Sequence, residues 1–330
     1  MSSPSLSLIV IAALVSAALC GQSQGATPPL QVGFYKGKCG PADVEAIVSG
    51  VVKTWYDFKD KTIAAGLLRL QFHDCFVNGC DASLLLDGGN TTEKAALANK
   101  SVRGYELIDA AKAAVEAVCR GVVSCADIIV MATRDAVALT GGQRYIVETG
   151  RRDGMISLLK NVDLPSPSVS VSDSIKAFAK KGLSATDMIY LLGGHTVGAT
   201  HCSLIQDRLY NFRGTGKPDP NMEATLLTAL RARCPQNTKV DNEVNLDQNP
   251  LSSMVVDNSY YKQIVKKRGI LQIDQDLALD PLSKTTVEAI ASGFNFNEKF
   301  GQAMIKLGGV QVLTGTQGQI RRSCRAVNKP

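Results

Sequence analysis

The sequence predicts a mainly α fold tied by disulfides. Three observations carry this expectation. Apolar residues recur at helical spacing through most of residues 44–307, strand signals are few, and eight cysteines lie beyond an apolar amino-terminal segment. The 330 residues suffice for two average domains or one large one. With 45% hydrophobic and 20% charged residues, the chain can fill a core, which excludes a disordered, collagen-like or polytopic membrane protein. The formal net charge of +6 is diffuse, with no lysine or arginine block. Nucleic-acid binding would want a concentrated basic stripe, so no nucleic-acid partner is expected; a diffuse excess better suits solubility and weak attraction to a polyanionic matrix.

At the amino terminus, residues 1–25 carry no charged side chain, and Leu8 to Leu19 is apolar except at Ser16. Twelve residues are too short to span a bilayer. Small residues follow, and Ser23-Gln24-Gly25 offers a cleavage site before Ala26. Residues 1–25 therefore read as a secretory signal peptide, although its usual basic start is missing, and residues 26–330 as the folded domain. The other reading is an anchoring or amphipathic helix. No later run is long and apolar enough to span a membrane, and Arg321 to Pro330 shows neither a retention tetrapeptide nor a hydrophobic tail. The expected location is extracellular.

The helices follow in order. Val44 to Tyr56 and Thr62 to Phe76 have apolar residues at helical spacing; Tyr105 to Cys119 and Ser124 to Leu139 are alanine-rich and periodic. Ser172 to Lys181, Ser184 to Leu192, Cys202 to Phe212, Asn258 to Arg268, Pro281 to Ser292 and Phe294 to Leu307 complete the set. Ser184 with Asp187 three residues on suggests a capping box. Gly308 and Gly309 are expected to end the last helix, because glycine accepts the left-handed conformation of a C-cap. The best strand signal is Tyr145 to Glu148, and Pro165-Ser166-Pro167 and Pro235 to Pro250 read as loops.

Cys20 lies in the signal segment. Cys39, Cys75, Cys80, Cys119, Cys125, Cys202, Cys234 and Cys324 remain, and an even count in a secreted chain implies disulfides. Eight cysteines allow on the order of 100 pairings, so count alone selects none. A zinc site is the rival reading, but only Cys75 and Cys80 approach ligand spacing, and they lack a matching half.

Three constellations carry chemistry. Arg69 and His73 stand at i, i+4 with Phe72 beside them, so one helix face presents a fixed cation, an aromatic wall and an imidazole. Imidazole exchanges a proton near neutral pH and guanidinium stays charged, which suits a reaction that moves a proton while negative charge develops. A surface arginine beside a core histidine would have the same spacing. His195 follows Gly193 and Gly194. Glycines there would admit a large flat group, and neutral imidazole ligates iron or zinc; a helix C-cap before a packed histidine reads equally well. The third histidine, His201, reads as a surface residue. Asp74, Asp81 and Ser83 surround Val77-Asn78-Gly79-Cys80, and Thr196, Asp247, Ser252 and Asp257 form a second oxygen-rich set. Either could surround a hard cation such as Ca²⁺, or serve as capping and turn residues.

At these residues the sequence resembles the secreted plant peroxidases, the class III haem peroxidase family. Arg69-Leu70-Gln71-Phe72-His73-Asp74-Cys75-Phe76-Val77-Asn78-Gly79-Cys80-Asp81-Ala82-Ser83 resembles the family's distal motif. Leu192-Gly193-Gly194-His195-Thr196-Val197-Gly198 resembles its proximal motif. Val123 to Ile128, Gly150-Arg151-Arg152-Asp153 and Asp207 to Phe212 also match, in the family's order, and the likeness runs from about Phe34 to Cys324.

The resemblance implies a two-part helical haem peroxidase fold with four disulfides, its distal and proximal halves enclosing one haem b. It implies the pairing Cys39–Cys119, Cys75–Cys80, Cys125–Cys324 and Cys202–Cys234. His195 would ligate the iron, Asp274 would accept the ligand's other N–H, and Phe72 would line the haem pocket. His73 would move a proton of hydrogen peroxide, Arg69 would stabilise the departing oxygen, and Asn99 would orient His73. Small phenolic donors would be oxidised by one-electron steps beside Pro165. Two Ca²⁺ sites are implied: Asp74, Val77, Gly79, Asp81 and Ser83 for one, and Thr196, Asp247, Ser252, Val255 and Asp257 for the other. The expected protein is a monomer in the cell wall or apoplast, with wall polyanions as a further partner.

Two departures stand out. The stretch Asp247 to Asp257 is longer than the family's commonest spacing, which bears on Ser252 and Val255. Tyr145 stands where many members carry tryptophan, a change expected to affect packing only. A catalytically silent, wall-binding protein would need none of Arg69, His73, Asn99, His195 and Asp274, all of which are present. An oxidase making reactive oxygen from a reductant would use the same haem. Two sequons, at Asn90 and Asn99, mark a glycoprotein, with sugar expected at Asn90 and not at Asn99.

Overall fold

The structure is a computed structural model and describes residues 29–329; the expected signal peptide lies outside the described residues. Those residues form twelve α-helices: α1 Val44–Phe58, α2 Ile63–Val77, α3 Tyr105–Val118, α4 Cys125–Leu139, α5 Val171–Ala179, α6 Ala185–Leu192, α7 Gln206–Tyr210, α8 Ala224–Arg233, α9 Ser259–Val265, α10 Gln272–Leu277, α11 Lys284–Ser292 and α12 Phe296–Gly308. Two small antiparallel pairs join β1 Gln31–Val32 to β2 Glu148–Thr149, and β3 Ala199–His201 to β4 Glu243–Asn245. The mainly α expectation holds.

α1 begins where the Asp43 carboxylate accepts the Ala46 amide at 3.1 Å, and it buries Val44, Val48 and Val52, successive turns of one face. α4 begins at Ser124, whose hydroxyl accepts the Asp127 amide, and it is buried along nearly its whole length. It packs against α1, α2 and α3; α12 packs on α6 and α2, and α9 packs on α10 and α11. One contiguous buried cluster runs through all of these helices. The disulfides are Cys39–Cys119, Cys75–Cys80, Cys125–Cys324 and Cys202–Cys234. The third spans 199 residues and ties the carboxyl-terminal segment to the start of α4.

Several boundaries depart from the sequence pattern. Cys202 to Phe212 is not one helix: a 3-10 turn Cys202–Leu204 precedes α7, and a second turn, Phe212–Gly214, contains Arg213 at φ 53°. Pairing of β3 with β4 sends the Cys202 amide to the Asn242 carbonyl, which interrupts helical bonding there. The helix expected from Asn258 to Arg268 is only α9, because Lys267 adopts φ 61°. The one expected from Pro281 starts at Lys284, after a turn in which Asp280 accepts the Leu282 amide. α8 escaped sequence reading because only Leu226 and Leu230 are buried and no apolar stripe forms. α10, with six residues, is too short to show a period.

Of the expected strand Tyr145 to Glu148, only Glu148 lies in β2. Gly308 belongs to α12, and the cap residue Gly309 has φ −88°, not a left-handed conformation. Glycine serves Gly308 differently: a Cβ there would stand 3.1 Å from Arg151 Nη2, whose Nε donates to the Gly308 carbonyl at 2.8 Å.

Candidate active site

α2 is buried on nearly every side. Its open positions are Ala65, Arg69 and Phe72, which share one face, with His73 beside them at 7% exposure. A Cβ on Gly198 would stand 2.8 Å from the Ala65 Cβ, so the chain after His195 runs close against this stripe. The φ of Gly198, +94°, also favours glycine. Phe72 stacks with Phe178 at 5.9 Å between ring centroids and leans on Phe76 at 4.8 Å.

The polar groups on this face form one chain of hydrogen bonds. Arg69 Nε donates to His73 Nε2 at 3.2 Å, Nη1 to the Ser101 hydroxyl at 3.0 Å and Nη2 to the Ala98 carbonyl at 2.9 Å. His73 Nδ1 lies 2.6 Å from Asn99 Oδ1, and Asn99 Nδ2 donates to the Glu93 carbonyl at 2.8 Å. The second bond orients the amide, so Oδ1 is the acceptor and His73 carries its proton on Nδ1. Burial, the largest influence, lowers the His73 pKa to about 4; the Asn99 hydrogen bond opposes this and the Arg69 charge adds to it. His73 is thus a neutral imidazole near pH 7, with the lone pair on Nε2. Arg69 is exposed, yet desolvation by the surrounding protein pulls its pKa down, as for a cation set in a cleft.

On the other side, α6 starts with the capping box the sequence suggests: Ser184 Oγ accepts the Asp187 amide at 3.1 Å, and Asp187 Oδ2 accepts the Ser184 amide at 2.9 Å. The helix runs into a 3-10 turn, Gly193–Thr196. The two glycines differ. A Cβ on Gly193 would stand 2.5 Å from Tyr261 Oη and 2.6 Å from the Phe296 ring, so packing demands that glycine rather than an approaching ligand. Gly194 meets nothing within 4 Å and leaves open space.

His195 Nδ1 lies 2.8 Å from Oδ1 of the fully buried Asp274. Tyr260 also donates to that oxygen, and the Leu271 amide donates to Oδ2 at 3.2 Å. Arg208, paired with Asp219, donates to the carbonyls of Gly269, Ile270 and Leu271 and so fixes the chain entering Asp274. Two other motifs interlock as scaffold: Arg151 Nη1 donates to Asp127 Oδ1 at 2.8 Å, and Asp153 accepts the Ala126 and Arg321 amides. Pro165 is half-buried in a loop whose Pro167 carbonyl accepts the Ile273 amide at 3.0 Å, next to Asp274; no hydrogen bond joins Pro165 to His73 or His195.

In the first oxygen-rich loop Asp74, Asp81 and Ser83 lie together, whereas the Val77 carbonyl accepts Lys181 Nζ at 2.9 Å and the Gly79 carbonyl accepts the Asp81 amide at 2.8 Å. Asp74 accepts the Ala82 and Leu84 amides, and Asp81 accepts the Ser83 amide. Burial, then the charges of Asp81 and Glu93, push Asp74 well above the usual carboxylate range. Burial likewise raises Glu93 to about 7. Ser83 Oγ and Glu93 Oε2 are buried without a hydrogen-bond partner. Buried carboxyl groups beside an orphaned hydroxyl suit a hard cation of the calcium type, provided that backbone oxygens complete the set. In the second loop, Thr196 Oγ1 lies 3.1 Å from the Val255 carbonyl and 3.3 Å from Asp257 Oδ1, and Ser252 donates to Asp247 at 3.0 Å. Between Asp247 and Asp257, Asn249 Nδ2 donates to the Ser252 hydroxyl at 2.9 Å and lies 3.2 Å from that of Ser259. Among the described residues no three His, Cys, Asp or Glu side chains converge to hold a metal alone, so both sets depend on hydroxyl and carbonyl oxygens.

A haem fits the residues present. The His195 ring is 30% exposed, its Nδ1 is committed to Asp274, and its Nε2 has no hydrogen-bond partner among the described residues. Gly194 leaves room beside it, and the open stripe of α2 supplies Arg69 and Phe72. His201 lies apart, half-exposed near Asp241 and Glu243. Tyr145 is buried against Gly301 with its hydroxyl unpaired. Sequence reading missed Glu93, Ser101 and Tyr260. Glu93 opens the run that ends at Asn99, but its hold on the Asn99 amide passes through its backbone carbonyl, which no residue pattern reveals.

Comparison with known proteins gives one answer. The peroxidase family profile matches residues 48–293. Peroxidase 60 of Arabidopsis thaliana is 52% identical over 321 residues, covering 96% of this chain and 96% of its own length. Peroxidase 57 of Arabidopsis thaliana is 48% identical over 91% of this chain and 93% of its own. Peroxidase 5 of Vitis vinifera is 45% identical over 91% and 92%.

Proposed function

This chain belongs to the class III plant peroxidase family, and from that premise we propose which of its residues carry the haem peroxidase reaction. It is an oxidoreductase that uses hydrogen peroxide to oxidise reducing substrates. Haem, when bound, supplies the iron that accepts two oxidising equivalents from peroxide and passes them on, one electron at a time, to those substrates.

His195 Nε2 would ligate the iron of haem b. Asp274 would accept a hydrogen bond from Nδ1–H, which favours the tautomer with the lone pair on Nε2 and raises its basicity. His73 Nε2 takes a proton from peroxide and delivers it to the departing oxygen, a neutral imidazole acting first as base and then as acid. The Arg69 guanidinium faces the negative charge that builds on that oxygen. Asn99 keeps the His73 proton on Nδ1. Phe72 walls the cleft and keeps water from the exchange.

The donors are small phenols, oxidised one electron at a time at the edge near Pro165. Two Ca²⁺ ions, held by the Asp74–Ser83 and Thr196–Asp257 sets, brace the two sides. The protein acts as a secreted monomer in the cell wall or apoplast, with weak affinity for wall polyanions from its +6 charge.

One observation carries this reading. Both histidines are tied through Nδ1, one to an amide oxygen and one to a carboxylate, which leaves Nε2 as the remaining ring nitrogen of each. The test is the secreted protein's Soret band and peroxide-dependent oxidation of guaiacol, with His195→Ala alongside. The variant should lose normal haem incorporation. An unchanged haem spectrum with full activity in His195→Ala would sink the assignment.

A further inference from the structure

We propose that Tyr260 is a positioning residue that limits how much negative charge Asp274 lends to His195. The inference rests on the reading of His195 as iron ligand and Asp274 as its acceptor. Tyr260 Oη donates to Asp274 Oδ1 at 2.9 Å, and His195 Nδ1 lies 2.8 Å from the same oxygen. Tyr260 and Asp274 are both fully buried, so neither can exchange its partner for water. The Tyr260 ring stands edge-on to His195, with centroids 6.0 Å apart and planes at 83°.

The surrounding packing holds this geometry. α9, which carries Tyr260, lies against the Gly193–Thr196 turn and against α10, which carries Asp274. The next residue, Tyr261, donates to the Ile189 carbonyl at 2.7 Å and fixes α9 on α6. Oδ2 of Asp274 is occupied by the Leu271 amide, so the carboxylate cannot rotate to offer His195 a separate oxygen.

An oxygen shared by two donors pulls less strongly on each, because each donor withdraws electron density from it. The phenol therefore reduces the pull of Asp274 on the Nδ1 proton. His195 stays an imidazole with modest anionic character, and its donation through Nε2 is moderated accordingly. Without the hydroxyl, Oδ1 would face the Nδ1 proton alone, and the ligand would become a stronger donor. A tyrosine that merely filled the core would have no such effect.

The experiment compares wild type, Tyr260→Phe and Asp274→Asn as haem-loaded proteins, reading the iron–histidine stretch of the ferrous state by resonance Raman. Tyr260→Phe should move the band to higher wavenumber and Asp274→Asn to lower wavenumber. The reduction potential from spectroelectrochemistry should fall in the first variant and rise in the second. A Tyr260→Phe protein with normal haem and an unshifted band, beside a shifted Asp274→Asn, overturns the role of Tyr260 alone. An unshifted band in Asp274→Asn means that the underlying reading of Asp274 has failed. If Tyr260→Phe does not take up haem, 3-fluorotyrosine at position 260 keeps the ring and strengthens the donor. The band should then move to lower wavenumber, and no movement overturns the proposal.

Discussion

Asn99 holds His73 in a single tautomer: its Oδ1 lies 2.6 Å from His73 Nδ1, while its Nδ2 is spent on the Glu93 carbonyl. The amide cannot flip without losing the second bond, and His73 cannot move its proton to Nε2 without losing the first.

Breaking this link should slow the reaction with peroxide while haem stays bound. Asn99→Ala leaves the Nδ1 proton without its acceptor, and a loss of about 10–100-fold is expected for such an outer-shell partner. His73→Leu removes the proton-transfer group itself and should cost about 10²–10⁴-fold. Stopped-flow mixing with peroxide measures both. A loss below about tenfold in His73→Leu would move the proton-transfer role to another residue.

Calcium removal should destabilise the protein. Ions that bind only the folded chain stabilise it by mass action, about 2.7 kcal/mol at a hundredfold excess over Kd. Chelation should lower both Tm and activity, and metal analysis of active protein should find two ions per chain. One ion would point to the Asp247–Asp257 loop as the empty site. None would remove both sites.

Glycosylation should separate the two sequons. Asn90 is exposed in a polar turn, Gly89–Thr91, and should accept sugar in a plant host. Asn99 is 2% exposed and both ends of its amide are engaged. A glycan on its Nδ2 would break the bond to the Glu93 carbonyl and has no room. Glycopeptide mass spectrometry of active enzyme decides, and substantial sugar on Asn99 would mean that Asn99 does not orient His73.

The cap that starts α6 should show its own pH dependence. Burial would raise the Asp187 pKa, but the hydrogen bonds from Lys306 and Ser184 outweigh it and hold the carboxyl below its ordinary 3.8. A depressed folded pKa means that ionised Asp187 stabilises the protein. That contribution is complete above the unfolded pKa and is lost as pH falls through the folded one. Asp187→Ala should therefore cost about 1 kcal/mol near pH 7, a typical capping loss. Denaturant unfolding of both proteins from pH 6 down to pH 3 should show the gap closing. A gap of constant size would contradict the cap's electrostatic part.

Part of the site was legible because it is local. Arg69, Phe72 and His73 share a helix face by spacing alone, and α1 to α6 begin and end within two residues of the pattern because their buried positions repeat. α8 and α10 were not legible. The first has no apolar stripe, and the second is shorter than two turns. Asn99 and Asp274 came from resemblance rather than spacing, since 26 and 79 residues separate them from their histidines.

By itself, the sequence determined the helical class, the paired cysteines as a pool, and the residues that one helix turn or one loop brings together. The tertiary structure alone decided that Tyr260 and His195 share one oxygen of Asp274, that Arg208 braces the carbonyls before it, and that packing against Tyr261 and Phe296 is what requires Gly193. The physical reason is range. Backbone propensity, capping and side-chain spacing act over about four residues. Which distant groups meet depends on how the helices pack, and that is a property of the whole buried core.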